Sequence, residues 1–410
     1  MRPRIWRTLT MTLALAAAQC LGQTSASPVP QRQAAASANP QRQAALALEQ
    51  QGKNAEAEAA WRLCLKAQPS NPEAYAHLGL LEARQEHYKE AVPLYRKALA
   101  LGPKIPGVQL NLGLALFKGG DLKESVEVFA PLLKSQPANS PQAQQLTILL
   151  GMAHYGLGEY AEAVPYLQAA AQADTQNLQL RLTLAQSCLW TKQYQCVLDV
   201  YHEILLLNAE SAEADMLAGE ALDETKDTPG AIQQFRAAAK ADPRQPDVHF
   251  GLGYLLWIQK QYEEAASEFQ AELADNPNHV QAMIYLGDTQ MELSRPEVAL
   301  PLLENSLRLD MGQELAHLDL GILYSDAGRR DDALRELKIA EKLDPNDEKV
   351  HWRLGRLYQA EGKKDEAKAE FDTTRAMQKA VEDTLAKKLE KAQEKAKSPQ
   401  EPPAAPPASQ

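Results

Sequence analysis

"AYAHLGLLEARQEHYKEAVPLYRKALALGP" occupies residues 74–103. Its apolar residues recur at three- and four-residue spacing in two stretches joined by a short polar turn, which is the pattern of two amphipathic helices folded back on each other. Leu78 and Gly79 mark the first stretch, Ala91 and Tyr95 the second, and Pro103 closes the unit. Each of these marks returns along the chain.

Prolines stand at 69, 103, 137, 243, 277 and 345, spaced by 34 residues or its multiples, apart from four extra residues that "SPQA" at 140–143 accounts for. Leu-Gly recurs at 78, 112, 150, 252, 286, 320 and 354, with Ala218-Gly219 and Leu184-Ala185 in the two missing places. An Ala followed four residues later by an aromatic residue or Leu recurs from Ala57/Trp61 to Ala367/Phe371. Three series in one period define about ten units, starting near 38, 72, 106, 144, 178, 212, 246, 280, 314 and 348 and ending near 381. The Gly and the Ala let two helix axes approach, and the aromatic residue fills the space beside them. One such hairpin cannot bury its apolar stripe alone, whereas stacked hairpins bury it against their neighbours.

The repeated pattern in 74–103, and again in "VHWRLGRLYQAEGKKDEAKAEFDTT" at 350–374, resembles the tetratricopeptide repeat family. The resemblance implies an all-α, right-handed superhelical solenoid of helix-turn-helix units, whose first helices line a concave face that holds a peptide or helix of a partner. Departures fall in the fifth unit (Ala185 for Gly, Val197 for Ala, Ala209 for Pro), in the sixth-unit turn "DETKDTPG", and at Glu272 in the seventh. They predict looser units or a bend.

"LFKGGDLKES" at 116–125 reads as a hairpin turn of this array rather than a phosphate loop, because Gly52, Gly158, Gly328 and Gly362 hold the same place without a shared Lys-Ser pair. Asp121 is expected to cap the following helix, with Glu124 completing a box.

The ends differ in character. Residues 1–22 are expected to form a signal peptide: Arg2, Arg4 and Arg7 precede an apolar run from Thr8 to Ala18, too short to span a bilayer, with cleavage between 18 and 26. Lipidation at Cys20 is the alternative, although Gln19 stands where a small residue is usual. Residues 23–37 read as a flexible linker, 382–398 as a charged capping helix, and 399–410 as a Pro-rich tail. Export places the chain in the periplasm or cell envelope, with release to the medium or a lipid anchor as alternatives. No other segment is long and apolar enough to be a transmembrane span.

A formal charge of −11 argues against nucleic-acid binding, which draws on Lys and Arg to displace counterions. "HEILL" at 202–206 lacks the second histidine of a zinc-protease motif, and "GLGYLL" at 251–256 lacks the third glycine of a dinucleotide loop. No catalytic, cofactor or metal site is expected. Cys188 and Cys196 flank the fifth turn symmetrically, which suits either a disulfide or simple packing of two small residues.

Function is then expected on the exposed face of the first helices, at positions three before, one after and four after each Gly. This phase selects Leu110, Leu114 and Phe117; Ile148, Met152 and Tyr155; Leu182, Leu189 and neighbouring Trp190; Phe250, Tyr254 and Trp257; and Ile284 and Met291. Acids punctuate the track at Glu220, Asp223, Asp288, Glu292 and Asp326, and the last unit adds Trp352, Lys349, Arg353 and Arg356. Such a face predicts a non-catalytic scaffold that holds an apolar or amphipathic segment with some basic residues. The Lys/Asn clamp by which chaperone adaptors of the family hold an acidic peptide terminus is absent. The resemblance also allows an outer-membrane lipoprotein supporting pilus or exopolysaccharide export. Oligomeric state is left open.

Overall fold

The computed structural model describes residues 40–102, 105–207 and 210–397. The expected signal peptide, the linker, Cys20, Ala209, the Pro103 mark and the Pro-rich tail lie outside the described residues.

The described residues form twenty α-helices and no strand, paired as ten hairpins. The first six pairs are α1 (Pro40–Gln50) and α2 (Asn54–Ala67), α3 (Pro72–Arg84) and α4 (Tyr88–Leu101), α5 (Val108–Gly119) and α6 (Leu122–Ser135), α7 (Pro141–Gly156) and α8 (Tyr160–Ala173), α9 (Leu178–Trp190) and α10 (Tyr194–Leu207), α11 (Ala212–Glu224) and α12 (Thr228–Ala241). Four more follow: α13 (Val248–Ile258) and α14 (Tyr262–Asp275), α15 (Val280–Glu292) and α16 (Pro296–Leu309), α17 (Glu314–Asp326) and α18 (Arg330–Leu343), α19 (Glu348–Ala360) and α20 (Lys364–Lys397). Contacts divide the chain into two compact units, up to Val248 and from His249 onward. Within the first unit each helix from α1 to α12 packs on the next, and within the second each from α14 to α20 does.

A steric lock explains the Leu-Gly and Ala-aromatic series. A Cβ added at Gly219 would stand 2.7 Å from the Phe235 ring, at Gly253 2.8 Å from Phe269, and at Gly321 2.6 Å from Leu337. Each partner sits sixteen residues after its glycine, on the second helix of the same hairpin. Phe235, Phe269 and Leu337 are in turn fully or almost fully buried. Where Ala185 replaces the glycine, the residue sixteen later, Tyr201, is only half-buried, and its hydroxyl lies 2.8 Å from both the Asp215 carboxylate and the Gln234 side-chain amide. The first hairpin also has an alanine in the crossing, Ala45, yet keeps its ring, Trp61, fully buried.

The turns follow a second rule. One residue in each turn adopts a left-handed conformation: Gly52, Glu86, Gly120, Gly158, Lys192, Lys226, Lys260, Ser294, Gly328 and Gly362. Successive members are 34 residues apart, except for 38 between Gly120 and Gly158. The four extra residues lengthen α7 to 16 residues, against 13 in α3, α9 and α11. The left-handed residue lets the next N–H return to the first helix, as Asp121 N–H does to Leu116 O at 2.9 Å and Asp227 N–H to Leu222 O at 2.9 Å.

The expected cap at Asp121 is not formed. Its side chain makes no capping bond, and Glu124 instead receives Arg96 at 2.6 Å. The backbone closure does not by itself decide this, because Asp227, closed in the same way, does cap its helix by accepting from the Gly230 N–H at 3.0 Å.

One further expectation changes. Glu272 does not loosen the seventh hairpin: it is buried and accepts from the Phe250 N–H at 3.2 Å, satisfying a donor in the first turn of α13. The charged helix expected at 382–398 is the end of α20, which runs without a break from Lys364 to Lys397.

Candidate partner-binding face

First helices of successive hairpins touch: α3 with α5 and α9 with α11 in the first unit, α15 with α17 and α17 with α19 in the second. Their contact buries much of the expected track. Leu110, Leu114, Met152, Tyr155 and Leu182 in the first unit, and Phe250, Tyr254 and Ile284 in the second, are all buried. These positions fill the space between hairpins, so their side chains do not form an open groove. Glu220 and Asp223 are buried as well, and burial, with the charges of Asp247 and Glu224, pushes the Glu220 carboxyl up to about 8.

Phe117, Ile148, Leu189, Trp190, Trp257, Asp288 and Met291 are half-buried, whereas Trp352 and Arg356 are exposed. In the first unit Trp190 stacks on Tyr160 at 5.8 Å, which ties the fifth hairpin to the fourth. Cys188 and Cys196 are disulfide-bonded, with Cα atoms 6.0 Å apart across the fifth turn. Cys64 is free and buried.

The second unit concentrates the polar chemistry. Tyr285 of α15 meets Trp257 edge-on at 5.1 Å and Tyr254 at 5.3 Å, and the Trp257 indole N–H donates to Asp288 Oδ2 at 2.5 Å. Beyond Asp288 lies Asp319 of α17, 3% exposed, whose Oδ2 has no hydrogen-bond partner among the described residues. Glu314, at the start of the same helix, also has a buried carboxylate oxygen, Oε1, without a partner.

Burial is the main cause that raises all three carboxyls. Asp319 is driven well above the ordinary carboxylate range, with Asp288, Glu314 and Glu292 adding to the effect and Lys349 opposing it. Glu314 is pushed up to about 7 by burial and by Asp347 and Asp344, again against Lys349. Asp288 is raised by burial and Glu292, while the Trp257 hydrogen bond and Lys349 pull it back. The arrangement is an aromatic pair followed by three acids, of which Asp288 is held by Trp257 while Asp319 and Glu314 each keep one carboxylate oxygen without a protein partner among the described residues.

Asp319, Glu314 and Tyr285 escape the rule of three phases used on the sequence. Asp319 lies two residues before Gly321 and Tyr285 two before Gly287. The visible signal was an acid inside an apolar run, "HLDLGIL" at 317–323. Trp352, by contrast, lies under Arg353 and Arg356 at 5.1 and 5.4 Å, an exposed cation–π group on α19.

Glu341, His351 and Glu370 have the residue types and proximity of a metal site. Lys338 already bridges both carboxylates at 2.9 and 3.3 Å, and His351 Nδ1 faces Glu370 at 2.7 Å. The cluster is therefore a neutralised ion-pair network between α18, α19 and α20.

Family profiles of the tetratricopeptide repeat match residues 42–106, 110–177, 198–246, 218–279 and 250–314, and then 290–350 and 327–392. The chain belongs to the tetratricopeptide repeat family. Among curated proteins it is similar to the TPR repeat-containing thioredoxin TTL4 of Arabidopsis thaliana, 26% identical over 218 residues, covering 50% of this chain and 31% of that protein. It is also similar to the CTR9 homolog of Arabidopsis thaliana, 23% identical over 287 residues, covering 68% of this chain and 26% of that one. The chain spans less than a third of the length of these two relatives. Among solved structures it is similar to PilF of Pseudomonas aeruginosa, at 20% identity over 47% of this chain and 88% of that one, with a TM-score of 0.43. YrrB, a TPR protein with an unusual peptide-binding site, matches at 20% identity over 46% of this chain and 97% of its own, with a TM-score of 0.38. Tetratricopeptide repeat proteins bind protein or peptide partners, and the repeats make this chain a protein-interaction scaffold. No helix among the described residues is long and apolar enough to cross a membrane.

Proposed function

We propose that this tetratricopeptide repeat protein is a non-catalytic scaffold of the bacterial cell envelope that binds an amphipathic, partly basic segment of another protein on the first-helix face of its second unit. The observation that carries this reading is the succession of Trp257, Tyr285, Asp288 and Asp319 on three consecutive first helices, where an aromatic pair passes into Asp288, held by the Trp257 N–H, and then Asp319, whose Oδ2 has no partner among the described residues. Aromatic side chains supply contact area at low entropic cost, and the acids select a partner of opposite charge. Envelope localisation is supported by the N-terminal Arg2, Arg4 and Arg7 before an apolar run, and by the Cys188–Cys196 disulfide, which persists in oxidising compartments.

Photo-cross-linking in whole cells tests the face. A benzophenone side chain replacing Met291 or Trp352 is expected to capture the same partner, while one replacing Leu309, an exposed residue of the second helix α16, captures none. Equal capture from all three positions would remove the face. Mass spectrometry of the mature N-terminus tests export, which an intact Met1 would exclude.

A further inference from the structure

We propose that Trp352, Arg353 and Arg356, on the last first helix of the second unit, dock an acidic amphipathic helix of the bound partner. The proposal rests on the reading of the first-helix face as a partner-binding surface, and it adds the charge that the partner carries over the tenth hairpin.

Trp352 stands three residues before Gly355, a place filled by Ile284 and Leu318 in the two preceding hairpins and by Leu110 and Leu182 in the first unit. Those four are at most 5% exposed, whereas Trp352 is 41% exposed. Position in the stack accounts for the difference. Leu318 shares one apolar cluster with Val350 and Leu354 of the next first helix, α19, and Leu110 shares one with Leu146 and Leu149 of α7. Among the described residues α19 is the last first helix, so Trp352 presents a stacking surface that no further hairpin covers. Terminal repeats need a polar outer face for solubility, and a tryptophan at this place departs from that rule. The surface has the form that a helix fills elsewhere in the array, and Trp and Arg are the side chains that most often carry the energy of an interface.

Charge names the occupant. The guanidiniums of Arg353 and Arg356 lie over the Trp352 ring at 5.1 and 5.4 Å, and neither makes a hydrogen bond or an ion pair among the described residues. Elsewhere in this unit Arg295, Arg329, Arg335 and Arg375 each pair with an acid. A guanidinium lying over a ring keeps its in-plane N–H groups free, already held in a fork that fits a carboxylate. Arg353 and Arg356 are about one helical turn apart, so their match is a pair of acids one turn apart on a partner helix. A second copy of this chain fits poorly, because a two-fold pairing of this end would set the arginines against themselves. The exposed acids Glu292 on α15 and Asp326 on α17 set the opposite sign earlier along the face, which orients the bound segment with its acidic part over α19.

The test uses the full chain and amidated, helix-forming peptides, randomised except for two positions one turn apart held as Glu, Gln or Lys. Amidation removes the terminal carboxylate, so retention reports on side chains. The wild type is expected to retain the Glu-held pool about tenfold better than the Gln-held pool, and the Lys-held pool least. Arg353→Gln combined with Arg356→Gln is expected to retain the Glu- and Gln-held pools alike, at an unchanged melting temperature. Trp352→Ala is expected to weaken retention of every pool about tenfold and to leave their order. A wild type that retains the pools without favouring Glu, or a double variant that keeps the preference, would overturn the acidic helix while leaving the binding face standing. A double variant that melts well below the wild type would make the arginines structural and overturn it too. A wild-type dimer that the double variant loses would make a second copy the occupant, with the same result. Retention of no pool by the wild type would overturn the binding face, and this docking with it.

Discussion

Trp257 and Asp288 are joined by an indole N–H···carboxylate hydrogen bond of 2.5 Å, between the first helices of the seventh and eighth hairpins. The bond holds an acid that burial would otherwise push further from its charged form, since the Trp257 donor is what counters the desolvation of Asp288. It thereby fixes one edge of the aromatic-acidic face. Trp257→Phe leaves Asp288 without its donor and is expected to destabilise the second unit by about 1.5–3 kcal/mol. In a double-mutant cycle with Asp288→Asn, urea unfolding should give a coupling of about 1–2 kcal/mol, and a coupling near zero would separate the two residues.

Gly321 and Leu337 set the crossing of α17 and α18. A Cβ at Gly321 would lie 2.6 Å from Leu337 Cγ and 3.4 Å from its backbone N, so both side chain and helix stand in the way. Gly321→Ala is expected to cost about 1–3 kcal/mol in urea unfolding through overpacking. Combining it with Leu337→Ala should recover part of this loss if the clash is its cause.

Lys226 makes the opposite case. At φ 73° it holds the turn position that glycine fills in five other hairpins. The left-handed region costs a side-chain-bearing residue about 1–2 kcal/mol, and glycine's extra unfolded-state entropy cancels about half of that gain. Lys226→Gly is therefore expected to stabilise the first unit by about 0.5–1 kcal/mol. Lys192→Gly, in the preceding turn at φ 60°, should behave alike, and a loss of stability in both would show that the lysines contribute contacts of their own.

The period of the fold was legible because it is written in side-chain volume: a small residue, glycine in most hairpins, faces a bulky residue sixteen positions later where the two helices cross. The turns were half legible. Five of ten carry glycine, and the others place Glu86, Lys192, Lys226, Lys260 or Ser294 in the same conformation, which composition does not announce. The candidate face was legible least. Helical phase around each glycine identifies residues that point away from their own hairpin, but it does not tell neighbour from solvent, so it places Leu114, Met152 and Phe250 on a surface when they are packing. Asp319 shows the converse: an acid inside an apolar run marks the place where the stack leaves a polar group unmet.

The last prediction concerns pH, and the shifts act in one direction. Glu314 rises from its ordinary 4.5 to about 7 and Glu220 from 4.5 to about 8, both chiefly through burial. In this window the folded chain binds more protons than the unfolded one, so stability falls as pH rises from 4.5 toward 8. His351 adds to the same slope. Burial lowers its pKa, but the Glu370 hydrogen bond, the Pro345 carbonyl and the charges of Glu370 and Glu341 outweigh that and raise it above 6.5. Its Nδ1 faces Glu370 at 2.7 Å and its Nε2 the Pro345 carbonyl at 3.0 Å, two acceptors that only the imidazolium satisfies together. The stability that His351 contributes is complete below 6.5 and is lost as pH rises through its higher folded value. Thermal melts should therefore give a lower midpoint at pH 8 than at pH 6. Glu314→Gln and Glu220→Gln should each flatten the slope, by removing a proton that the folded chain holds and the unfolded chain releases. Midpoints that rise between pH 6 and pH 8 would mean that these carboxyls are charged in the folded chain, and that a cation already satisfies them.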